Sequence, residues 1–322
     1  MNLKEIDGNG TVEGFVLVKH CDKKSAKNGS VYLDLTLADK SGEINAKMWD
    51  YREGAFLPEN NSVVKVRGVI ASYNGVPQMR IDRIRAIWDS DNVNMAEIIP
   101  SSDYDGAYML SVIKGKVLDF KNEQLKKLVT AVLGEYGAKM LDCPAAFRLH
   151  HAIRGGLLMH TLSIVKLCEC VSSIYPTVDR ELLISGAILH DVCKVDEFAL
   201  SAAGLVDGYT PEGTLIGHLV MGAMAIDRIA RANDIDRETA MLIEHMLISH
   251  HGEPEFGAAV RPLFLEAEIL SELDSLDANI YEIESCLADV SPHEFSQRQW
   301  ALHDRKFYNH GRKYPETKVN LD

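Results

Sequence analysis

Apolar and polar residues alternate along five segments in the first ninety or so positions of the chain. A period of two predicts β-strands that bury one face and expose the other. Turn residues separate the segments, and Asn74-Gly75 between the last two is typical of a tight hairpin. The alternating segments are residues 11–19, 31–38, 43–49, 62–72 and 76–87.

The spacing of apolar residues changes to three and four after the stretch 89–105, which is polar, carries Pro100 and is a candidate linker. This spacing predicts amphipathic helices, and Gly155-Gly156 precedes a further helix that bears His160. The other predicted helices cover residues 106–120, 122–136, 181–194, 217–232, 237–249 and 267–286.

Five short strands with turns between them favour a small closed barrel of the OB type over the alternative of another small β-sandwich. We therefore predict an α+β protein of several domains, in which this barrel precedes an all-α bundle. The predicted divisions are the barrel at 1–90, a linker and helical connection at 91–144, a helical domain at 145–290 and a basic, aromatic tail at 291–322.

The 322 residues are 46% apolar and 25% charged, which is ordinary for a globular protein of about two domains. The net charge of −13 argues against indiscriminate binding of nucleic acid, because such binding needs a long basic face. The first ninety or so residues are close to neutral, so the acidity belongs to the rest of the chain. Charge therefore leaves room for a local nucleic-acid groove.

The beginning of the chain lacks the apolar segment of a signal peptide, and no apolar run looks long enough to cross a membrane. The six cysteines form no CxxC pair and are expected to be reduced, mostly buried thiols. These patterns predict a cytoplasmic protein that does not associate with a membrane.

Imidazole and carboxylate side chains recur along the predicted helical region in the order H…HD…H…HH…D. Neutral imidazole suits zinc, iron, manganese and similar ions, and a carboxylate can bridge two of them. Two neighbouring ions are typical of enzymes that hydrolyse phosphate esters. The candidate ligands are His160, His190, Asp191, His218, His250, His251 and Asp274.

A single histidine on an apolar helix face is more often a core residue than a ligand. The convergence of several such side chains on different helices nevertheless favours a metal site. A buried pair such as His190-Asp191 is also costly unless it is paired or bound to an ion. Asp277 lies one helical turn beyond Asp274 and is its rival for the last position.

The order of the ligands suggests two ions that share Asp191. A water between them would have a lowered pKa and would supply hydroxide near neutral pH. One ion would take His160, His190 and Asp274, and the other would take His218, His250 and His251.

Further residues are candidates for catalysis beside the ions. Lys194 stands one turn beyond Asp191 and could contact phosphate, or it could form a salt bridge to Asp191 or another acid. His150 and His151, with Arg154, could bind phosphate or protonate the leaving oxygen, or could be an ordinary surface pair. We name Asp191, Lys194 and His151 as the candidate catalytic residues.

The series of candidate ligands resembles the HD superfamily of metal-dependent phosphohydrolases, which is named for the doublet found here at His190-Asp191. The YhaM-like group of bacterial 3′-to-5′ exoribonucleases, which join an OB-type domain to an HD domain, is a closer match. The segments similar to that group are 156–161 (GLLMHT), 187–194 (AILHDVCK), 249–279 and the tail segment 305–308. The resemblance covers nearly the whole chain. The Gly-Tyr-Pro signature of the cyclic-dinucleotide phosphodiesterases is absent after His251, which Gly252 follows.

The resemblance implies that residues 145–290 form an HD-type domain and that the protein shortens single-stranded RNA, with single-stranded DNA as a further candidate substrate. It also implies nucleoside 5′-monophosphates as products, two divalent ions with manganese favoured, and a homo-oligomer. Ligand type alone leaves iron, cobalt and nickel open. Direction, product and ion follow from the resemblance and not from the spacing of residues.

Aromatic and basic positions on the predicted barrel would suit a single strand, because OB folds stack bases on rings and hold phosphates with cations. Each could instead be structural, since Trp49 could lie in the core and Tyr73 could simply flank the turn. The candidates are Tyr32, Lys47, Trp49, Tyr73, Gln78 and Arg80, with Arg154 outside the barrel.

We therefore predict a metal-dependent 3′-to-5′ exoribonuclease. A second hypothesis is an HD-type phosphodiesterase or nucleotidase for small or cyclic nucleotides, which would not need the barrel. A third is a nucleic-acid-binding protein with an inactive HD domain, which the complete set of candidate ligands disfavours.

Overall fold

The structure is a computed structural model that describes residues 3, 10–49, 51–73, 76–147, 151–316 and 319–321. The chain divides into two compact units. The first combines Met1–Ser101 with Leu200–Asp207, and the second combines Ser102–Ala199 with Gly208–Asp322. The chain therefore passes between the units three times.

Five strands close into the predicted barrel in the order β1-β2-β3-β5-β4. Neighbouring strands are antiparallel, except for the parallel pair β3 and β5. Alternate apolar side chains fill the interior, so the prediction of an OB-type barrel is confirmed. The strands are β1 (Gly10–Ser25), β2 (Val31–Asp39), β3 (Gly42–Met48), β4 (Ser62–Tyr73) and β5 (Val76–Ala86).

A β-bulge interrupts the pairing of β4 and β5. Arg67 lies opposite Arg83, but the next residue, Gly68, lies opposite Ile81, so Asp82 is the extra residue on β5. A Cβ atom on Gly68 would lie 2.2 Å from a carbonyl oxygen of β5, and only glycine fits this approach. Bulges of this kind turn the neighbouring side chains and increase the local twist.

The first unit also contains a segment beyond the barrel and part of a distant hairpin. Strands β6 (Phe198–Leu200) and β7 (Val206–Tyr209) form a two-stranded sheet that the sequence patterns do not predict. Between these strands, Ala203 and Leu205 join an apolar cluster of this unit. The cluster also contains Leu17, Ala38, Val63, Ile98 and Ile99.

The expected linker at 91–144 is divided: residues 91–101 belong to the first unit, and residues 102–144 contribute two helices to the second. The predicted turn at Asn74-Gly75 lies outside the described residues, and the strands beside it pair as far as Tyr73 and Val76.

Helices dominate the second unit. Several begin after a side chain that accepts hydrogen bonds from the free amides of the first turn, such as Asp105, Asn122, Asp179 and Asp236. The helices are α1 (Gly106–Leu118), α2 (Glu123–Met140), α3 (Gly156–Ile174), α4 (Arg180–Leu189), α5 (Lys194–Glu197), α6 (Pro211–Leu215), α7 (His218–Ala232), α8 (Arg237–Ser249) and α9 (Leu265–Leu287).

The predicted helix over 181–194 is interrupted. Helix α4 ends at Leu189, and a turn separates it from α5, which begins at Lys194. In an uninterrupted helix the carbonyl of Ala187 would accept the amide of Asp191, but here it accepts Nδ1–H of His190 at 2.9 Å. His190, Asp191 and Lys194 therefore do not share the face of one continuous helix.

Helix α3 corrects the expectation that no apolar run is long enough to cross a membrane. Its 19 residues pass that test by length and composition. However, the residues from Gly156 to Val165 are all buried, and α3 packs against α1, α4 and α9. It is therefore explained as the central helix of the second unit.

The basic and aromatic tail folds back on itself. Two antiparallel bridges, Phe295 with Tyr308 and Gln299 with Arg305, hold it. Trp300 lies between them in a short 3₁₀ helix and is 76% exposed. The tail is thus an ordered segment that presents aromatic rings to solvent.

Candidate functional site

The seven predicted ligands lie together in the second unit. Helix α3 packs against α4 and α9, and α8 packs against α4 and α7, so the ends and faces of these helices meet. Most of the seven side chains are buried, and Asp191 is only 2% exposed. They are His160 in α3, His190 and Asp191 at the end of α4, His218 at the start of α7, His250 and His251 after α8, and Asp274 on α9.

Hydrogen bonds to main-chain oxygens orient three of the imidazole rings. Nδ1 of His190, His250 and His251 lies 2.9, 2.8 and 2.9 Å from carbonyl oxygens three to five residues away. A carbonyl oxygen only accepts, so each Nδ1 carries the proton. Each Nε2 is then left with its lone pair, which is the form that binds a metal ion.

Two further rings are oriented by carboxylates. Nδ1 of His160 lies 2.8 Å from Oδ2 of Asp277, and Nδ1 of His218 lies 3.0 Å from Oε1 of Glu197. A carboxylate behind a histidine fixes the ring and increases the basicity of its other nitrogen. Glu197 is not among the predicted residues, although its place one turn after Lys194 is a signal that could have identified it.

The two carboxylate oxygens of Asp191 face different groups of imidazoles. Oδ2 lies 3.2 Å from Nε2 of His190 and 3.6 Å from Nε2 of His160. Oδ1 lies 3.3 Å from Nε2 of His218 and 3.6 Å from Nε2 of His250. A carboxylate placed in this way could bridge two cations, one on each side.

Three buried polar atoms at this centre have no hydrogen-bond partner among the described residues. They are Oδ1 of Asp191, Nε2 of His218 and Nε2 of His250. Leaving a buried polar atom unsatisfied costs about 1–3 kcal/mol. Converging acceptors without a donor fit a cation, and imidazole nitrogen with carboxylate oxygen is a usual ligand set for zinc, iron or manganese.

Asp274 and its predicted rival Asp277 lie on opposite sides of the His160 ring. Oδ1 of Asp274 lies 3.1 Å from Nε2, whereas Asp277 contacts Nδ1. Asp277 also lies 2.9 Å from Nε2 of His151 and accepts a hydrogen bond from the hydroxyl of Ser163. Asp274 could therefore hold an ion, whereas Asp277 supports a ring that could.

The carboxylates make this centre attractive to positive charge. Burial alone would lower the pKa of His160, but Asp274 and Asp277 raise it to about 10. Burial would raise the pKa of Asp191, but Lys194 holds it well below its ordinary range. The aspartates therefore stay ionised at neutral pH.

Two imidazoles near the other side of Asp191, His218 and His251, are held in their neutral form. Burial, together with the neighbouring His250, lowers the pKa of His251 to about 3. Burial also lowers the pKa of His218, despite its hydrogen bond to Glu197. Neutral rings are ready to bind an ion without first releasing a proton.

Lys194 forms the salt bridge that was its alternative in the sequence analysis. Its Nζ lies 2.6 Å from Oδ2 of Asp191, and the residue is 8% exposed. Burial would lower the pKa of Lys194, but Asp191 raises it above its ordinary value. Lys194 is therefore a charged neighbour of the centre and not a surface side chain.

The candidates upstream of α3 are placed away from the converging Nε2 atoms. His151 is fully buried and contacts Asp277, so it is not part of a surface pair. Arg154 lies 3.0 Å from a carboxylate oxygen of Asp142. His150 lies outside the described residues.

Three predicted nucleic-acid residues form a patch on the outside of β2 and β3, which we call the β2–β3 patch. The rings of Tyr32 and Trp49 lie 4.6 Å apart, and Nζ of Lys47 lies 5.5 and 5.7 Å from their centres. Arg80 is the neighbour of Lys47 on β5, and its side chain is 64% exposed. Trp49 is 44% exposed and is not a core residue.

The other two barrel candidates are less closely associated with the β2–β3 patch. Tyr73 is 66% exposed at the end of β4. Among the described residues, it has no ring contact with that patch. Gln78 donates a hydrogen bond to Asn45 at 2.6 Å, so its amide is already engaged on the surface of the barrel.

Family models match both units of this architecture. Residues 157–279 match the HD domain, and residues 11–87 match the OB-fold nucleic acid binding domain. The fold and the site thus define a class of protein in which an OB-fold domain is joined to an HD domain with a histidine–aspartate centre.

Relatives of known name extend over nearly the whole chain. The 3'-5' exoribonuclease YhaM of Listeria welshimeri is 38% identical over 308 residues, which are 95% of this chain and 97% of the relative. The 3'-5' exoribonuclease YhaM of Bacillus subtilis is 33% identical over 300 residues, which are 92% of this chain and 94% of the relative. The chain belongs to the YhaM family of 3'-5' exoribonucleases, as the resemblance predicts.

A solved structure resembles the barrel alone. The second OB-fold domain of replication protein A from Methanococcus maripaludis matches 27% of this chain and 93% of that domain, with 20% identity and a TM-score of 0.22.

Proposed function

We propose that this protein is a metal-dependent 3′-to-5′ exoribonuclease, which shortens single-stranded RNA and releases nucleoside 5′-monophosphates. Membership of the YhaM family supports this activity. The observation that carries the chemistry is the carboxylate of Asp191, whose two oxygens face two separate groups of imidazoles.

The proposed ligands would hold two divalent ions, with Asp191 available to both. When bound, the ions would lower the pKa of water and neutralise phosphate oxygens as negative charge develops. We propose manganese as the ion, with iron, cobalt and nickel to be compared in the same assay. One ion would be held by His160, His190 and Asp274, and the other by His218, His250 and His251.

The residues around the ligands hold them in position. Asp277 and Glu197 accept Nδ1–H of His160 and His218, so that Nε2 of each ring points inwards. Lys194 orients the shared carboxylate and places a permanent positive charge where the phosphate of the substrate would lie. We assign His151 a positioning role through Asp277 in place of a direct catalytic one.

The β2–β3 patch is the proposed entry for the substrate. The faces of Tyr32 and Trp49 suit unpaired bases, and Lys47 and Arg80 suit the phosphates between them. Stacking does not depend on the sugar, so single-stranded DNA is a second proposed substrate. We also propose a cytoplasmic homo-oligomer, whose size light scattering of the purified protein would measure.

The test is a time course with single-stranded RNA labelled at its 5′ end, in the presence of Mn²⁺. The wild-type protein should produce a ladder that shortens from the 3′ end, and Asp191→Ala should leave the RNA intact. Asp103→Ala, which changes an exposed carboxylate outside the centre, should retain wild-type activity. The label should remain on progressively shorter fragments and should not appear at once as a mononucleotide.

Other outcomes would change the assignment. Immediate release of the labelled nucleotide would show the opposite polarity, and a few discrete fragments would indicate an endonuclease. If wild-type protein with bound metal leaves all RNA intact, small or cyclic nucleotides become the substrates to test.

A further inference from the structure

A groove separate from the β2–β3 patch lies on the outside of the barrel, along β1, β4 and β5. Its volume is about 450 Å³, and charged side chains dominate its rim. None of the residues that form the β2–β3 patch lines it. The charged residues of this groove are Glu13, Lys65, Arg67, Asp82, Arg83 and Arg85.

Most of these charges are already paired. Nζ of Lys65 lies 3.0 Å from Glu13, and Arg85 forms two hydrogen bonds with Asp91 at 2.7 and 2.8 Å. Asp82 lies 3.6 Å from Nε of Arg80. Both acidic residues of the groove therefore already have a basic partner in the barrel.

Arg67 and Arg83 differ from their neighbours. They lie directly opposite each other on β4 and β5, and both are exposed. Among the described residues, neither forms an ion pair or a side-chain hydrogen bond. Like charges on directly opposite strand positions destabilise a sheet. Glu13, which lies opposite Arg67 on β1, offsets part of this charge, but it is already paired with Lys65. An anion between the two guanidinium groups would offset the rest.

The bulge lies directly beside the arginine pair. Because Asp82 is the extra residue, the ladder is interrupted on the side of Arg83, and the adjacent side chains are turned. Two guanidinium groups can together donate several hydrogen bonds to a phosphate, which is the anion that arginine suits best.

An aromatic ring contacts Arg85, one of the residues that line the groove. The guanidinium of Arg85 lies 4.0 Å from the centre of the Trp88 ring, and Trp88 is 62% exposed. A cation site beside an exposed ring matches the two contacts that single strands make, to phosphate and to base. Strand β5 connects this groove to the β2–β3 patch, because it carries both Arg80 and Arg83.

We propose that the groove on β4 and β5 is a second contact surface for single-stranded RNA, in which Arg67 and Arg83 hold one phosphate and Trp88 stacks on a nearby base. The strand continues along β5 from the β2–β3 patch to this groove. The proposal rests on the proposed function, because it extends the path of the same substrate. It predicts that RNA long enough to reach both surfaces binds more tightly than RNA that fills one.

The experiment measures binding of fluorescent oligouridylates of about 6 and about 20 nucleotides by anisotropy in EDTA, so that the RNA stays intact. The double variant Arg67→Gln/Arg83→Gln should bind the long RNA about 10-fold more weakly than wild type. The slope of log K against log salt should become shallower by about 0.7, which is the contribution of one single-strand phosphate. Binding of the short RNA should be unchanged.

Matched variants separate this result from general effects of charge. Lys40→Gln/Arg52→Gln removes two exposed cations of the same unit outside the groove and should change neither slope nor affinity for the long RNA. Lys47→Ala should weaken binding of both RNAs through the β2–β3 patch. Thermal unfolding of the Arg67/Arg83 double variant should be unchanged or should shift upwards, since a like-charge pair is removed.

Either of two results would be enough to overturn the proposal. If the double variant binds the long RNA with wild-type affinity and slope, the groove does not contact RNA. An equal loss for the short RNA would show that the two surfaces are not successive parts of one path. If wild-type protein binds neither RNA and degrades none, the proposed function itself fails, which is a different result.

Discussion

The three aspartates of the centre have the same chemistry and different surroundings. Asp191 lies between two groups of imidazoles, Asp274 lies beside Nε2 of His160, and Asp277 lies beside Nδ1 of the same ring. The nitrogen of His160 that a carboxylate faces decides whether the carboxylate could itself hold an ion or instead supports the ring that could. Replacing each aspartate should therefore have a different effect.

Replacing Asp277 with asparagine should weaken Mn²⁺ binding about 10–100-fold, although no proposed ligand is removed. Asparagine can still accept Nδ1–H of His160, but it lacks the charge that, together with Asp274, raises the pKa of that ring to about 10. Isothermal titration of the metal-free protein with Mn²⁺ measures the affinity and the number of ions together.

The controls distinguish support from direct ligation. Asp274→Asn should change the number of bound ions, whereas Asp277→Asn should change only their affinity. Glu272→Gln alters an exposed carboxylate on the same helix and should bind Mn²⁺ like wild type. Wild-type affinity in Asp277→Asn would contradict the positioning role.

The sequence predicts which side chains meet but not which of two neighbours faces the ion. All seven candidate ligands come together, because imidazole and carboxylate are recognisable by type and order. Asp274 and Asp277 are three residues apart on α9, so helical periodicity puts both on one side. The ring that separates them comes from α3, and its orientation depends on packing that no local pattern contains.

Two helices end at a histidine in the same way. His190 is the C-cap of α4, and His250 is the C-cap of α8. Each donates Nδ1–H to a carbonyl oxygen three residues earlier, which is one of the oxygens that a helix end leaves without an amide partner. The histidine thereby supplies a hydrogen-bond donor to a main-chain oxygen of the last turn, and its Nε2 points away from that oxygen.

Helix α3 should depend on glycine at its first position. A Cβ atom on Gly156 would lie 2.0 Å from the carbonyl oxygen of His151, which belongs to the main chain and cannot simply rotate away. Gly156→Ala should therefore lower the free energy of unfolding by about 1–3 kcal/mol, as overpacking does. It should also reduce activity, because it displaces His151 behind Asp277 and His160. Urea unfolding and the RNA time course measure the two effects.

A glycine in open space provides the comparison. A Cβ atom on Gly134 in α2 would meet no atom within 4 Å. Gly134→Ala should therefore stabilise the protein by about 0.5–1 kcal/mol, because alanine is the better helix former. Equal effects of the two substitutions would show that the contact at Gly156 is not the cause.

Elements with long regular periods are predictable, and short or interrupted ones are not. The barrel strands and helices such as α8 appear where the apolar spacing predicts them. Strands β6 and β7 have three and four residues, which is too short for a period to show. The break after α4 and the bulge at Gly68 depend on a side-chain hydrogen bond and on a close approach between strands.

At the scale of the whole molecule, each proposed site is built from one unit. The histidine–aspartate centre lies in the second unit, and both proposed RNA surfaces lie in the first. Substitutions in the barrel should therefore change binding of long substrates without changing ion binding. Substitutions in the histidine–aspartate centre should change ion binding without changing the binding of long substrates.

The cysteines make the stability of the folded protein depend on pH. All six are free thiols. Burial raises the pKa of Cys143 and Cys168 to about 12 and that of Cys193 to about 11. A thiolate at any of these positions would be a desolvated charge in the second unit, so the folded protein should resist deprotonation there.

Alkaline pH should therefore destabilise the protein through these thiols. Below their ordinary pKa of 9.0, both the folded and the unfolded states keep the proton, and pH has no effect through them. Between pH 9 and 12 the unfolded chain releases protons that the folded chain retains, so stability falls as pH rises. At pH 10 the loss is about 1.4 kcal/mol for each fully buried thiol.

Urea unfolding in EDTA at pH 8, 9 and 10 measures how steeply stability falls with pH. Cys143→Ala and Cys168→Ala should each flatten it, whereas Cys170→Ala, at an exposed thiol, should not. An unchanged slope in Cys143→Ala would show that this thiol ionises as readily in the folded protein as in the unfolded chain.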